Sequence, residues 1–148
     1  MKNISQVVSQ FLAPDLLQQS IQQLSGQVFP KDERTQLTRR VSTATSKPIA
    51  ELGADEIVTL LRQQCGGDVA LALALMLISE EPLMCGDSHS GDLLQLALQR
   101  EWNAWLATEK YGVDPYGLIS SIESTINGLK DLCVELEGSL KKNFFTAP

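Results

Sequence analysis

The chain has 148 residues, enough for one domain with a hydrophobic core, and 43% of them are hydrophobic. Its formal net charge of −6, from 12 basic and 18 acidic residues, argues against nucleic acid as a direct partner and favours a basic protein. Leu, Ala, Gln and Glu are common, whereas aromatic residues make up 5% of the chain, so the composition favours helix over sheet.

The first 46 residues contain three predicted helices. Apolar residues between Ile4 and Leu12 fall at helical spacing, which predicts a short first helix. Pro14 suits the first turn of a second helix, whose apolar stripe continues to Leu24 and whose stop is Gly26. Residues 30–45 are polar and locally basic, and a weak apolar stripe predicts a third helix there.

The middle of the chain contains the most apolar segment. A helix is predicted over residues 54–64 and closed by Gly66-Gly67, after which Asp68 can cap the next helix. Val69–Ile78 is apolar on every side, as expected for the central helix of a bundle. Its alternating Ala and Leu residues could mimic a buried strand, but Ala favours helix. Pro82 ends this helix.

Two further helices are predicted in the last third. One starts near Gly91 and carries an apolar stripe to Leu106. The other has apolar residues spaced alternately by three and four, which forms a heptad-like seam. Such a seam either closes an intramolecular bundle, which is its commoner use, or forms a coiled coil with a partner. The seam residues are Ile119, Ile122, Ile126, Leu129, Cys133, Leu136 and Leu140.

These elements predict an all-α, single-domain helical bundle of six or seven helices over residues 1–148. Ser5 and Gln6 interrupt any apolar signal segment, and the longest apolar run, Val69–Ile78, is far shorter than the roughly 20 residues of a membrane span. Three scattered cysteines favour reduced thiols. We therefore expect a cytoplasmic protein with no membrane partner.

Residues 80–98 raise the question of a chemical site, because Cys85 and the single histidine, His89, lie four positions apart. A structural zinc site usually needs four closely arranged Cys or His ligands, and Cys65 and Cys133 are isolated. A Cys85–His89 thiol dyad is conceivable but lacks a recognisable nucleophile motif. Gly66-Gly67 lacks the other residues of a phosphate loop. We expect no catalytic residue, metal or cofactor.

The same segment can be explained as a turn between two helices. Gly86 allows a positive φ, Ser90 can cap the next helix, and Asp92 suits its first turn. The charge pattern is not explained by turning alone, since residues 63–99 contain no Lys or Arg. This acidic stretch is either a solvated face, the commoner case, or a docking surface for a cationic partner. Its acids are Asp68, Glu80, Glu81, Asp87 and Asp92.

Residues 47–98 resemble the immunity proteins of bacterial contact-dependent growth inhibition (CDI) systems. The most specific part is a pair of Gly-Asp steps separated by a short insert and followed by Leu-Leu. Met84-Cys85 and Ser88-His89-Ser90 depart from the family pattern, in which an acid precedes the first Gly-Asp and aromatic residues follow it. The matching positions are Lys47-Pro48, Asp55-Glu56, Gln63, Gly67, Pro82-Leu83, Gly86-Asp87 and Gly91-Asp92-Leu93-Leu94.

The resemblance implies a non-enzymatic protein that binds and neutralises the C-terminal toxin domain of a CDI effector. Such toxins are often nucleases with basic surfaces, which suits an acidic inhibitor. The alternative is a helical adaptor that binds its partner through the C-terminal amphipathic helix. The resemblance assigns Gly86, Gly91 and Asp92 to loop architecture, Asp87 to both loop architecture and toxin binding, and Glu80, Glu81, Cys85, Ser88 and His89 to toxin binding.

Overall fold

The computed structural model describes residues 3–27 and 34–145, and every regular element in these ranges is helical. The all-α prediction is confirmed. Two short 3₁₀ helices, Ile49–Glu51 and Thr108–Tyr111, and a π-helical turn, Lys141–Phe145, accompany the α-helices. The α-helices are α1 (Ile4–Val8), α2 (Pro14–Leu17), α3 (Ile21–Ser25), α4 (Gln36–Ser46), α5 (Ala54–Arg62), α6 (Gly67–Glu80), α7 (Asp92–Leu98), α8 (Trp102–Ala107) and α9 (Pro115–Leu140).

The described residues form nine α-helices rather than six or seven, because two predicted helices are each divided. The second predicted helix breaks at Ser20, whose extended backbone caps α3. The Ser20 hydroxyl accepts a hydrogen bond from the Gln23 amide at 3.2 Å, and Gln23 Oε1 accepts one from the Ser20 amide at 2.8 Å. This reciprocal capping favours a new helix start over a continuous helix. Gly26 ends α3 at a φ of 69°, as predicted.

The helix predicted to start near Gly91 is divided into α7 and α8 around Arg100. The indole N–H of Trp105 donates to the Ala97 carbonyl at 2.9 Å, so this carbonyl at the end of α7 has a side-chain partner. The Arg100 guanidinium donates to the Leu61 carbonyl, at the end of α5, at 2.6 Å. Both interactions add a side-chain donor to a carbonyl near a helix end, where the regular helical hydrogen bonds stop. They stabilise the break in place of a continuous helix.

Helix α6 is the centre of the bundle. All ten residues from Val69 to Ile78 are buried, which confirms the apolar helix predicted there. It packs against α1, α3, α5, α7 and α8. Gly66 is its N-cap residue and Asp68 lies in its first turn, so the prediction that Asp68 caps the helix is wrong. The left-handed backbone of Gly66, at a φ of 82°, makes the turn between α5 and α6.

Helix α4 begins at Gln36 and is capped by Thr35. It confirms the later part of the helix predicted over residues 30–45, whereas residues 30–33 lie outside the described residues. None of the helices described is both long and apolar enough to cross a membrane. The remaining predicted helix, over residues 54–64, corresponds to α5.

The chain divides into two compact units, residues 1–115 and residues 116–148. The second unit consists mainly of α9. Leu129, Cys133, Leu136 and Leu140 on its seam are exposed, and the choice between a bundle-closing and a partner-binding seam stays a prediction. Apolar residues at heptad spacing define one face of a helix, but the spacing does not determine what covers that face.

Candidate functional site

Residues 81–91 form the loop between α6 and α7, and backbone hydrogen bonds close it at its base. The Gly91 amide donates to the carbonyls of Leu83 and Met84 at 3.0 and 3.1 Å. Cys85 and Ser90 form an isolated antiparallel bridge. Gly91 has a φ of 80°, which is costly for residues with a side chain, and it precedes α7 as its N-cap residue. The loop is therefore an ordered turn with a defined path.

The carboxylate of Asp92 holds the loop from inside. Oδ1 accepts a hydrogen bond from the Gly86 amide at 2.7 Å, and Oδ2 accepts from the amides of Asp87 and Ser88 at 2.9 Å each. Asp92 is 1% exposed. A buried carboxylate needs such donors, because an uncompensated buried charge is costly. The assignment of Asp92 to loop architecture matches these contacts.

The same contacts change the acidity of Asp92. Burial raises the pKa of the carboxyl group, but hydrogen bonds from the backbone amides of Ser88, Gly86, Asp87 and Leu93 outweigh burial and lower the pKa to about 2. Asp92 is therefore ionised at neutral pH. Its negative charge stabilises the loop from inside the protein by accepting hydrogen bonds from the loop amides.

Gly86 is required by close packing. Its φ is not positive, so the predicted reason for glycine at this position is wrong. A Cβ atom added to Gly86 would lie 2.5 Å from Cγ2 of Val58 and 3.1 Å from Oδ1 of Asp92. Glycine at position 86 thus allows the loop to pass directly over α5.

The predicted cap of α7 is also wrong, because Gly91 and not Ser90 is its N-cap residue.

A second contact fixes the loop from the outside. Arg62, the last residue of α5, donates from Nη1 to Oδ2 of Asp87 at 3.1 Å and from Nη2 to the Ser88 hydroxyl at 3.1 Å. The sequence analysis did not identify Arg62, because 25 residues separate it from Asp87 and no local spacing links them. Asp87 and Ser88 are therefore held by the protein itself, although both remain exposed.

The other predicted contact residues are exposed in this loop or at the adjoining end of α6. Cys85 and His89 lie in the loop, Glu80 is the last residue of α6, and Glu81 follows it as the C-cap residue. Glu80, Glu81 and Cys85 line one groove. Over residues 3–27 and 34–145, no group of three or more His, Cys, Asp or Glu side chains is placed to hold a metal ion.

The acidic stretch does not form one acidic face. Asp92 is buried, and Asp87 is paired with Arg62. Asp68 lies at the other end of α6, about 20 Å from Glu80 along a 14-residue helix, and pairs with Lys110 at 3.1 Å. The acids of this stretch thus lie in separate environments, and Glu80 and Glu81 are exposed at the end of α6.

Residues 20–112 match the model of a family described as CDI immunity proteins, which covers more than half of the chain. The chain belongs to this family. The matched segment contains the resemblance seen over residues 47–98 and confirms it. No curated protein and no solved structure matches the chain significantly. Family membership supports an immunity function directed against a CDI toxin.

Two family-like residues of this immunity protein have an architectural role away from the loop. Glu56 Oε1 accepts a hydrogen bond from the Gly53 amide at 3.0 Å. The same oxygen forms an ion pair with Lys47 Nζ at 2.9 Å. The first contact satisfies an amide at the start of α5, and the second ties the end of α4 to it. Lys47 and Glu56 therefore link the end of α4 to the start of α5.

Proposed function

We propose that the immunity protein binds and neutralises the C-terminal toxin domain of a CDI effector, and that this toxin is a nuclease with a basic surface. The family match over residues 20–112 carries the proposal. The protein acts by covering the toxin surface and catalyses no reaction. A net charge of −6 supports a basic partner, because opposite charge speeds encounter and disfavours wrong partners.

We place the toxin contacts on the loop between α6 and α7 and on the adjoining end of α6. The loop residues Cys85, Asp87, Ser88 and His89 are exposed, while the buried Asp92 carboxylate fixes the backbone beneath them. A surface that is ordered before binding loses less conformational entropy on association, so it suits tight recognition. The candidate contact residues are Glu80, Glu81, Cys85, Asp87, Ser88 and His89.

The test uses the purified immunity protein and the toxin domain encoded beside its gene. We expect a stable complex, an association rate that falls as salt rises, and protection of growing cells from the toxin. The His89→Ala variant should weaken toxin binding by about tenfold while its melting temperature is unchanged. Cys85→Ser should retain protection, since no thiol chemistry is involved.

The matched control is Glu109→Lys, which reverses one exposed charge on the 3₁₀ helix beside Lys110, at the other end of α6. It should bind the toxin domain as the wild type does. Absence of a complex between the wild-type protein and the toxin domain would contradict the proposal. Loss of protection in Cys85→Ser with normal folding and toxin binding would instead favour a thiol enzyme.

The exposed half of α9 favours a second candidate function, an adaptor that binds a partner helix. Five large apolar residues in this half of the helix are exposed: Leu129, Leu132, Val134, Leu136 and Leu140. The discriminating variant is Leu136→Glu, which places a charge on the seam and should leave toxin binding intact if the loop is the interface. If this variant is as stable as the wild type but no longer binds the toxin domain, or no longer associates with a second copy, then α9 is the interaction surface.

A further inference from the structure

The apolar seam of α9 changes from covered to exposed along the helix. Ile122, in the first half, is 2% exposed. From residue 129 onwards every seam residue is exposed, and Leu132 beside them is 48% exposed. The exposed strip runs from residue 129 to residue 140, which is about 18 Å of helix at 1.5 Å per residue. We call its four seam residues the exposed seam: Leu129, Cys133, Leu136 and Leu140.

The exposed seam has the spacing of a coiled coil formed by two helices. Its residues follow one another at intervals of four, three and four. In heptad notation Cys133 and Leu140 occupy a positions, and Leu129 and Leu136 occupy d positions. A second copy of the chain carries the same strip, and a two-fold axis pairs a surface with itself. The spacing suits a second copy but does not determine the direction of its helix.

The charges beside the seam determine this direction. The e positions, which follow the d positions, carry charged residues, whereas the g positions, which precede the a positions, carry none. In a parallel pair each e position faces a g position, so these charges would have no counterpart. In an antiparallel pair e faces e, and Lys130 of one copy meets Glu137 of the other. The residues are Glu123, Lys130 and Glu137 at e, and Leu118, Thr125, Leu132 and Ser139 at g.

Exposure and charge select the same antiparallel register. When Lys130 lies opposite Glu137 of the second copy, each a residue of the exposed seam packs against a d residue of the other exposed seam. Sliding the helices by one heptad towards the covered half places Lys130 opposite Lys130 and Glu123 opposite Glu137, and like charges repel. Lys130 and Glu137 are exposed, and neither has an ion pair within the part of the chain that the structure describes.

We propose that α9 joins two copies of this protein as an antiparallel helix pair over residues 129–140, with reciprocal ion pairs between Lys130 and Glu137. The inference goes beyond the proposed function, because it involves none of the candidate toxin-contact residues. Two helices that meet over about 18 Å bury a small area, so we expect a weak dimer with a dissociation constant on the order of 100 µM.

Sedimentation equilibrium of the full chain from about 10 µM to about 1 mM tests the pairing. The wild type should change from monomer to dimer across this range. Leu136→Glu should abolish the dimer, and Lys130→Glu and Glu137→Lys should each weaken it by about tenfold, because two attractions become two repulsions. The matched control is Glu135→Lys, an exposed c position away from the seam, which should associate within about twofold of the wild type.

Mixing the two charge variants tests the antiparallel register. A chain with Lys130→Glu carries two acids at these positions, and a chain with Glu137→Lys carries two bases. Their mixture should therefore form a heterodimer at least as strong as the wild-type dimer, whereas Lys130→Glu mixed with Glu135→Lys should not. The double variant Lys130→Glu/Glu137→Lys should regain the wild-type dissociation constant, since each ion pair is restored with its partners exchanged.

Thermal melting at about 5 µM, where the protein is monomeric, separates association from folding. All these variants change exposed residues and should melt as the wild type does. If Leu136→Glu unfolds, the charge variants and their mixture still decide the question. A wild type that stays monomeric at about 1 mM would overturn the proposal. A dimer that tolerates Leu136→Glu or both charge reversals would also overturn it, and would assign self-association to another surface.

Toxin binding is measured on the same variants. Normal toxin affinity together with loss of the dimer in Leu136→Glu is expected, since the two surfaces are separate. Loss of toxin affinity in Leu136→Glu with a monomeric wild type would assign the exposed seam to the toxin domain and overturn the self-pairing. A wild type that forms the dimer but binds no toxin domain would contradict the proposed function and leave the helix pair standing.

Discussion

Replacing Asp92 with Asn tests whether the buried carboxylate holds the loop between α6 and α7. The Asn side chain has the same size but no charge. Its NH₂ group must take the position of Oδ1 or Oδ2, where it would face backbone N–H donors instead of accepting from them. A pKa of about 2, against an ordinary 3.8, corresponds to about 2 kcal/mol of stability from the ionised form. The contact between the Asn NH₂ group and these N–H donors adds to this loss, so we expect the free energy of unfolding to fall by about 2–4 kcal/mol.

The pH dependence of stability gives an independent check. Because the folded-state pKa of Asp92 is lowered, its stabilising contribution is complete above about pH 4 and is lost as the pH falls towards 2. The Asn variant cannot titrate at this position. The difference in unfolding free energy between wild type and variant should therefore shrink by about 2 kcal/mol between neutral pH and pH 2.

The measurement is urea unfolding followed by far-ultraviolet circular dichroism at several pH values. Asp87→Asn is the matched control, since Asp87 forms an exposed ion pair with Arg62 and should cost less than about 1 kcal/mol. An Asp92→Asn variant as stable as Asp87→Asn at neutral pH would refute the role of the carboxylate. A stability difference that is the same at pH 7 and pH 2 would refute its low pKa.

Three further changes test the loop and the seam. Gly86→Ala should lower the free energy of unfolding by about 1–3 kcal/mol in urea denaturation, because its Cβ would lie 2.5 Å from Val58. Its control is Gly128→Ala, which lies in open space on α9 and should not destabilise the protein. Arg62→Ala should reduce stability by less than about 1 kcal/mol but speed dissociation of the toxin domain in binding kinetics, since it frees the loop. Leu136→Ala should leave the melting temperature nearly unchanged, because this side chain is 58% exposed.

The contrary results are equally specific. A Gly86→Ala protein with wild-type stability would show that α5 and the loop can separate without cost. Equal dissociation rates for Arg62→Ala and wild type would show that the order of the loop does not contribute to the free energy of toxin binding. A loss of several kcal/mol in Leu136→Ala would place this residue in a core and favour the bundle-closing use of the seam.

The sequence predicts the central helix well because local and tertiary preferences agree there. Val69–Ile78 combines good helix formers with apolar side chains on every side, and this combination can be satisfied only in the middle of a helical protein. The breaks at Ser20 and Arg100 are harder to predict. Besides the local capping between Ser20 and Gln23, these breaks involve distant partners: Ser20 forms a bridge with Pro48, and Arg100 donates to the Leu61 carbonyl.

The loop shows the same difference between near and distant contacts. The spacing of Gly86, Gly91 and Asp92 predicts a turn, because the interacting groups lie within six residues of one another. The role of Arg62 involves segments far apart in the chain. It leaves no periodic or compositional pattern, so it could not be predicted without the fold.

The charge pattern illustrates why a count of acids does not define a recognition surface. Five acids without a basic residue between 63 and 99 suggest one strongly negative face. In the structure, however, these acids have separate environments: Asp92 is buried and accepts hydrogen bonds from backbone amides, Asp87 pairs with Arg62, and Asp68 pairs with Lys110. Paired charges contribute weak external fields, whereas Glu81 is exposed at the end of α6 beside the loop. If the toxin domain binds at this end of α6, as we propose, reversing Glu81 should weaken toxin binding more than reversing Asp68.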